Sequence, residues 1–222
     1  MFSQIIPADR SSTLKKNSRK ELKISISQDN YDKVIILNGP SFITEGISKS
    51  NLLVKSNDYY MIINKGSTGI EITYSKDVSN HEIVYDPYKY ENSEKVNYKL
   101  EKMKEIFEIP EGYIDTLPKW YSFKFTYPHY NIIIVRPELG ISIQIHDLRS
   151  EYWEILDGKP IIINGTDVHY FVENGSEFEI PINTLHSVIN PNKDKFVILK
   201  ERWEGEFNEE DITRVHNPNN YK

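Results

Sequence analysis

Short β-type segments separated by turn dipeptides fill the second half of the sequence, and they constrain the fold more than any other feature. Between about residues 120 and 202, runs rich in Ile, Val, Phe and Tyr alternate with the turn signals Asp157-Gly158, Asn164-Gly165 and Asn174-Gly175. Regular short strands without an intervening helical pattern are typical of an antiparallel sandwich or barrel. The sequence therefore predicts one β-domain over residues 116–222.

The first half is predicted to be β-rich as well, with one helix. Residues 24–115 contain short β-branched runs, and a Lys/Glu-rich stretch spaces its apolar residues three and four apart, which predicts a helix over about residues 93–109. Residues 1–23 carry six basic and two acidic side chains without any sustained period. This composition predicts a basic flexible arm, which either stays solvated or docks on phosphates or an acidic partner.

Composition excludes several classes of function. The chain has no cysteine, so disulfide scaffolds, thiolate metal sites and cysteine nucleophiles are ruled out. No apolar run approaches the roughly 18 residues that a membrane span needs, and the start of the chain lacks the apolar segment of a signal peptide. We therefore expect a soluble cytoplasmic protein with no membrane partner. Its net charge of −6 gives no reason to expect specific nucleic-acid binding.

Metal-capable side chains are concentrated in the predicted β-domain. Gln144 and His146 are two residues apart and therefore share a face of a strand, Glu151 follows after a bend, and His186 lies on a later segment. A metal site needs three or four nitrogen or oxygen donors that converge from different strands, and a barrel interior can provide this arrangement. Isolated histidines are more often hydrogen-bonded core residues, so a purely structural role stays open.

The spacing of these residues resembles the two motifs of the cupin superfamily. The matching positions are Gly140, His146, Glu151 and Gly158 in the first motif, and Gly175, Pro181, His186 and Asn190 in the second. Residues 144–153, Gln-Ile-His-Asp-Leu-Arg-Ser-Glu-Tyr-Trp, are similar to the signature of type II mannose-6-phosphate isomerases, and residues 204–214 resemble a later acidic motif of that family. The resemblance covers residues ~118–215 and does not extend to residues 1–117.

The resemblance implies a cupin-type jelly-roll barrel and a metal-dependent aldose–ketose isomerisation of a hexose phosphate. It implies a divalent metal ion, with zinc favoured, on Gln144, His146, Glu151 and His186, and a sugar phosphate held by Arg149 and Arg214. No nucleotide cofactor is expected, because no glycine-rich nucleotide loop occurs. The proton-transferring base is not identified by the sequence.

Two departures from the family pattern, at Leu148 and at Asn219-Asn220-Tyr221-Lys222, which replaces the family's closing Tyr-Gly-Arg, support an alternative. Leu148 replaces the second histidine of the first motif and is expected to place an alkyl group beside the metal, whereas Asn183 replaces a glycine but tolerates a positive φ. A cupin that has lost a ligand could instead be a structural, assembly or carbohydrate-binding module without turnover. In either case we expect a homo-oligomer or a larger assembly that covers exposed strand edges. The acidic stretch from Glu201 to Asp211 is predicted to be a solvated face.

Overall fold

The computed structural model describes residues 2–206, 208 and 210–219, and most of its regular structure is β-strand. The mainly β prediction is therefore confirmed. The chain forms two compact units, of which one contains residues 2–87 with 166–168 and the other contains residues 88–165 with 169–219. The domain boundary predicted near residue 115 lies inside the second unit. Phe207 and Glu209, which belong to the predicted acidic motif, lie outside the described residues.

The first unit is built from antiparallel strands. These are β1 (Phe2–Ile6), β2 (Leu14–Lys16), β3 (Leu22–Ser25), β4 (Val34–Asn38), β5 (Ser41–Ile43), β6 (Leu53–Val54), β7 (Tyr59–Asn64), β8 (Ile70–Tyr74) and β9 (Glu82–Tyr85). One sheet has the order β1-β8-β3-β6, and a second set of strands has the order β5-β4-β7-β2-β9. Two 3₁₀ turns, Gln28–Lys33 and Lys49–Leu52, connect them. Buried aliphatic side chains from both sets, including Ile36, Ile62 and Ile72, form one core.

The structure differs from the prediction of a flexible arm over residues 1–23. Phe2–Ile6 pairs with Ile70–Tyr74, and Leu14–Lys16 lies between β7 and β9. Ile6, Leu14 and Leu22 are at most 1% exposed. The physical reason is that these few apolar residues fill the core of the unit, and the basic side chains between them do not prevent strand pairing. The excess of positive charge therefore belongs to folded strands and their connections.

The second unit contains the predicted barrel region. Its elements are α1 (Leu100–Ile106), β10 (Asp115–Pro118), β11 (Ser122–Thr126), β12 (Asn131–Val135), β13 (Ile143–Ile145), β14 (Arg149–Asp157), β15 (Ile161–Asn164), β17 (Glu177–Ile180), β18 (His186–Ile189), β19 (Val197–Gly205) and β20 (Thr213–His216). Between β15 and β17, β16 (Asp167–His169) pairs Asp167 with Ser41, and its first two residues belong to the first unit.

Two groups of strands enclose the core of the second unit. One has the order β10-β11-β12-β19-β14-β17, and the other has the order β20-β13-β18-β15. Ile133, Trp153 and Leu199 from the first group pack with Ile162 and Val188 from the second. Alternate residues of β14 and β19 are buried, as the period of a strand requires. The two groups therefore form curled sheets around an apolar interior, in which a polar cluster is embedded.

Helix α1 is shorter than the predicted helix over residues 93–109. Met103 is fully buried against Phe123 and Phe125, whereas Val96 and Ile106 are exposed. Met103 is the one buried residue of the helix, which begins at Leu100 and ends at Ile106. The apolar residues outside these bounds therefore do not extend the helix as their spacing predicted. Within the described part of the chain, no helix has the length and apolar character needed to cross a bilayer.

Candidate metal centre and adjoining pocket

The two segments that match the cupin motifs lie next to each other in the second unit. Gln144 of β13 pairs directly with His186, the first residue of β18. The backbone N–H of Asn183 donates a hydrogen bond of 2.9 Å to the carbonyl of His146, and Asn183 has a φ of 60°. The expectation that asparagine adopts the left-handed conformation at this position is confirmed. The turn before β18 is thus connected to the strand end that carries His146.

Three of the four predicted metal ligands converge. One ligand atom each of His146, Glu151 and His186 lies within 4.8 Å of the others, and all three residues are at most 2% exposed. Nε2 of His146 is 3.1 Å from Oε1 of Glu151, and Nε2 of His186 is 3.6 Å from Oε2 of the same carboxylate. Glu151 therefore lies between the two imidazoles, which are 5.0 Å apart by ring centroid.

The hydrogen bonds of the two histidines define their tautomers. Nδ1 of His146 contacts the carbonyl of Asp211, and Nδ1 of His186 lies 2.9 Å from the carbonyl of Thr184. A carbonyl oxygen only accepts, so each Nδ1 carries a proton, and Nε2 is the nitrogen that each ring directs towards the cluster. Burial lowers the pKa of His186, which keeps this imidazole neutral at pH 7. Imidazoles that ligate metals are commonly fixed in this way by a carbonyl.

Arg149 contributes a positive charge to the same cluster. Its Nε donates to Oε1 of Glu151 at 2.9 Å, its Nη2 donates to Nε2 of His146 at 3.0 Å, and its Nη1 donates to the carbonyl of Asn208 at 2.9 Å. Nε1 of Trp153 donates to the other carboxylate oxygen of Glu151 at 3.1 Å. Burial alone would raise the pKa of Glu151, but contacts with His146, His186 and Arg149 lower it to about 2. Glu151 is therefore ionised and multiply hydrogen-bonded.

Gln144, the fourth predicted ligand, lies at the edge of the cluster. Its Nε2 is 3.4 Å from Nε2 of His186, and its Oε1 accepts a hydrogen bond of 2.8 Å from the hydroxyl of Ser142. Because Nε2 of His186 carries a lone pair, the amide group faces it with its N–H rather than with its oxygen. Gln144 would have to turn its amide by half a rotation to offer an oxygen to a metal ion.

Leu148 does not occupy the position expected from the sequence. Its side chain is 47% exposed, so the alkyl group is not buried beside the histidines. The backbone N–H groups of Asp147 and Leu148 donate to the two carboxylate oxygens of Asp211, each at 3.0 Å. These two bonds turn the bend that precedes β14 outwards at Leu148. The substitution removes one candidate ligand without blocking the cluster.

A pocket adjoins the cluster and shares Gln144 and Arg149 with it. Its charged lining residues are Lys119, Lys124, Arg149, Glu201 and Arg214. Arg214 of β20 pairs with Gln144 of β13, which in turn pairs with His186. Directly opposed residues of neighbouring strands point to the same face of the sheet. The paired residues Arg214, Gln144 and His186 therefore lie side by side and lead from the pocket to the histidines. Of the two arginines predicted to hold a phosphate, Arg214 therefore lines the pocket wall, and Arg149 lies between pocket and cluster.

Glu201 and Lys124 belong to this site although the sequence analysis did not single them out. Glu201 is 6% exposed, and its Oε1 accepts a hydrogen bond of 2.6 Å from the amide of Asn131. Burial, followed by the charge of Glu151, raises the pKa of Glu201 to about 7. Burial lowers the pKa of Lys124. The two-residue period of a strand could have identified both residues. Lys124 alternates with two buried phenylalanines, and Glu201 follows Val197 and Leu199 at the same spacing, so its side chain points to the interior as theirs do.

The prediction that Glu201–Asp211 forms a solvated face is therefore wrong at both ends of that stretch. Glu201 is buried in the interior, and the side chain of Asp211 is 7% exposed where it holds residues 147 and 148. Every second side chain at the start of β19 points to the interior, and this alternation continues to Glu201, the first residue of the acidic stretch.

Comparison with known proteins places these observations in a family context. Residues 110–217 match the family described as mannose-6-phosphate isomerase C-terminal. A mannose-1-phosphate guanylyltransferase from Salmonella muenchen is 25% identical over 181 residues, which are 78% of this chain and 36% of the relative. A mannose-1-phosphate guanylyltransferase from Klebsiella pneumoniae is 35% identical over 91 residues, which are 40% of this chain and 19% of the relative. The chain thus spans 36% of the Salmonella muenchen relative and 19% of the Klebsiella pneumoniae relative.

Solved structures show weaker similarity. A sugar phosphate isomerase of the cupin superfamily from Silicibacter pomeroyi has 12% identity and a TM-score of 0.34, covering 39% of this chain and 60% of its own. An oxalate decarboxylase from Bacillus subtilis has 9% identity and a TM-score of 0.38, covering 96% of this chain and 70% of its own. The family match over residues 110–217 confirms the resemblance of residues ~118–215 to the mannose-6-phosphate isomerase cupin domain.

Proposed function

We propose that this chain, whose residues 110–217 match the mannose-6-phosphate isomerase C-terminal family, binds a divalent metal ion in its second unit and isomerises a phosphorylated hexose. The observation that carries the proposal is the convergence of two imidazole nitrogens and one carboxylate within 4.8 Å of one another in a buried cluster. Two histidines and a carboxylate are a common ligand set of catalytic zinc, which leaves a further position for substrate or water.

His146, Glu151 and His186 would hold the ion, and a turned Gln144 amide would add an oxygen. When bound, the metal would polarise the oxygens on the reacting carbons of the sugar and stabilise the negative charge that develops during proton transfer. The hydrogen bonds of both Nδ1 atoms to backbone carbonyls hold the imidazoles in the orientation this requires. Trp153 and Arg149 orient the carboxylate of Glu151 from two sides.

Arg149 is the specific observation that favours a second function. Its guanidinium contacts both Glu151 and Nε2 of His146, so it already supplies the cluster with a positive charge. Nη2 of Arg149 would have to move away from Nε2 of His146 before that histidine could hold a metal ion. If Arg149 stays in place, the unit is a sugar-phosphate-binding cupin without turnover, with the cluster serving only to fix the pocket wall.

Metal titration followed by a turnover assay tests the proposal. We expect metal-depleted protein to take up one zinc or manganese ion per chain and to melt at a higher temperature, because an ion that binds only the folded state stabilises it. His186→Gln should abolish both effects, whereas His129→Gln, which changes an exposed histidine of the same unit, should leave them intact. The metal-loaded protein should convert mannose 6-phosphate to the ketose phosphate in a coupled assay.

Each negative result has a separate meaning. Protein that takes up no stoichiometric metal and melts unchanged would contradict the isomerase proposal, and it would support the function in which Arg149 stays in place. Metal uptake without turnover of mannose 6-phosphate would retain the metal centre and reject the reaction. The homo-oligomer expected from the sequence stays a prediction, which light scattering on the same preparations would test.

A further inference from the structure

The sheet that contains β14, β17 and β19 has a covered part and an open part on its outer face. Ile132 and Ile134 of β12 are buried there in an apolar cluster. Next to them in the strand order come β19, β14 and β17, and the outward side chains Arg202, Glu204 and Glu179 of these strands are exposed. The outer face of β14, β17 and β19 is therefore polar and accessible to a ligand.

A cavity, which we call the outer cavity, lies on this open part of the face. Its volume is about 390 Å³, and it is lined by His129, Tyr152, Arg202, Trp203 and Glu204. His129 comes from the turn between β11 and β12, whereas Tyr152 belongs to β14 and the other residues belong to β19. Binding sites for small molecules typically have volumes of roughly 300–1,000 Å³. The outer cavity thus has the size of a site for one small ligand.

The sheet itself separates the outer cavity from the candidate metal centre. Side chains of a strand point alternately to the two faces of its sheet. Glu151 and Trp153 are at most 1% exposed and point to the interior. Tyr152 lies between them in the sequence and therefore points to the outer face, as does Arg202, with which it pairs. A ligand in the outer cavity therefore does not reach the histidines of the cluster.

Charged side chains of both signs surround the ring of Tyr152. Arg202 and Glu179 are its directly opposed partners on the two neighbouring strands, and Glu204 is two residues from Arg202 on the same face. The negative charge of Glu204, followed by that of Glu179, raises the pKa of Tyr152, which indicates that both carboxylates lie near its hydroxyl group. The outer cavity therefore combines one aromatic surface with carboxylate acceptors and a guanidinium donor.

These side chains fit a neutral ligand with several hydroxyl groups. A carboxylate only accepts hydrogen bonds and a guanidinium group only donates them, so a hydroxyl group, which does both, is a partner for each. The carboxylates would repel an anion, and Arg202 would repel a cation. An entirely apolar ligand would remove water from the charged groups without replacing their hydrogen bonds. A hexose ring has hydroxyl groups along its edge and C–H groups on its faces, and these C–H groups can pack on the apolar face of a tyrosine.

We infer that the outer cavity binds one neutral hexose unit, which packs on the ring of Tyr152 and exchanges hydrogen bonds with Arg202 and Glu204. His129 bounds the site at the turn between β11 and β12. The inference adds a carbohydrate-binding site to the chain, and it does not rest on the proposed isomerisation, because none of these residues belongs to the cluster. The two proposals also differ in the ligand, since a hexose without a phosphate group suffices here.

Binding of mannose, glucose and galactose, measured by saturation-transfer NMR and calorimetry, tests the inference without any turnover. We expect the wild-type chain to bind at least one of these hexoses. Tyr152→Ala should weaken that binding about tenfold or more, whereas Tyr152→Phe keeps the ring and should stay within about threefold of the wild type. Leu156→Ala truncates an exposed side chain four residues further along the same face of β14 and should bind as the wild type does.

Tyr152 is half-buried, so its truncation could lower the stability of the chain as well as its affinity for a hexose. The double variant Arg202→Met with Glu204→Gln changes only exposed side chains and gives a second measurement. It removes the donor and one charged acceptor, so we expect about 10- to 100-fold weaker hexose binding at an unchanged melting temperature. If the double variant binds the hexose as tightly as the wild type, the inference is wrong.

His186→Gln separates the outer cavity from the cluster and should bind hexoses as the wild type does. Hexose binding that is lost in His186→Gln but kept in Tyr152→Ala would place the sugar at the cluster and overturn the inference. A wild-type chain that binds none of the three hexoses would also overturn it. Tyr152-dependent binding of lysine methyl ester in their place would do the same, because it would identify a site for cations. These results do not depend on whether the chain isomerises mannose 6-phosphate, so the two proposals fail separately.

Discussion

The side chain of Glu201 is buried, so water solvates its negative charge poorly. A second carboxylate, that of Glu151, lies near enough to repel this charge. Burial is the main reason that its pKa is raised to about 7, from an ordinary value near 4.5. The folded state therefore binds a proton that the unfolded state releases between these values. Because the pKa of Glu201 is higher in the folded state than in the unfolded state, its contribution to the free energy of unfolding is fully present below pH 4.5. This contribution is lost as the pH rises from about 4.5 through 7.

Replacing Glu201 with glutamine should remove this pH dependence. Glu201→Gln keeps an oxygen that can accept from Asn131, so at pH 5 we expect its stability to be within about 1 kcal/mol of the wild type. At pH 8 the variant should be more stable than the wild type by about 1–3 kcal/mol, since it no longer buries a charge. Thermal melts at both pH values measure the difference.

Glu204→Gln is the matched control, because it changes an exposed carboxylate three residues further along the same strand. Its melting temperature should follow that of the wild type at both pH values. Equal pH dependence in Glu201→Gln and the wild type would show that the buried carboxyl does not titrate in this range.

At the scale of the element, the junction between β14 and β19 positions the first motif. Arg149 pairs with Gly205, and the backbone N–H of residue 206 donates to the carbonyl of Leu148. Gly205 has a φ of 106°, and a Cβ added there would lie 2.4 Å from the Leu148 carbonyl oxygen. Only glycine fits this conformation and this close approach. The end of β19 therefore fixes the start of β14, and with it the direction of the Arg149 side chain.

Gly205→Ala should be destabilised by backbone strain and by collision with Leu148. We expect a loss of more than about 2 kcal/mol in the free energy of unfolding, since strain at a positive φ alone costs roughly 1–3 kcal/mol. Gly112→Ala separates the two causes, because Gly112 has a φ of 90° but no atom within 4 Å of an added Cβ. Denaturant unfolding of both variants should show a larger loss for Gly205→Ala. Equal losses would mean that Leu148 moves away at no cost.

How much of this architecture the sequence could predict depends on the range of the interactions. The candidate ligands from Gln144 to His186 could be predicted, because the strand period and the spacing of the cupin motifs determine which side chains share a face. Glu201 and Lys124 were missed because charge was considered along the chain, whereas strand pairing sets their surroundings. For Glu201 the paired residue is Asn131, which is 70 residues away in the sequence. The tautomers and the contacts of Arg149 could not be predicted, because they depend on carbonyls of distant residues such as Asp211.

At the scale of the whole molecule, the same limitation affected the first 23 residues. Their basic composition predicted an arm, but pairing partners as distant as Ile70–Tyr74 turn them into strands. The sequence analysis left open that the positive charge of this segment docks on phosphates or on an acidic partner. In the structure the segment contributes apolar side chains to the core of the first unit, and its charge is a separate property that can be changed independently.

Deletion of residues 1–23 should therefore unfold the first unit rather than detach an arm. It removes β1, β2 and the buried side chains of Ile6, Leu14 and Leu22, and the loss of one buried aliphatic side chain typically costs 2–5 kcal/mol. We expect rapid proteolysis within residues 24–87 and loss of far-ultraviolet strand signal. The matched control replaces Arg19, Lys20 and Lys23 by glutamine, which removes charge from exposed positions and should change stability by about 0.5 kcal/mol or less per residue. If the deletion melts like the full chain while the glutamine variant loses a higher-order complex, the segment is a charged docking arm after all, and its strands contribute little to the unit.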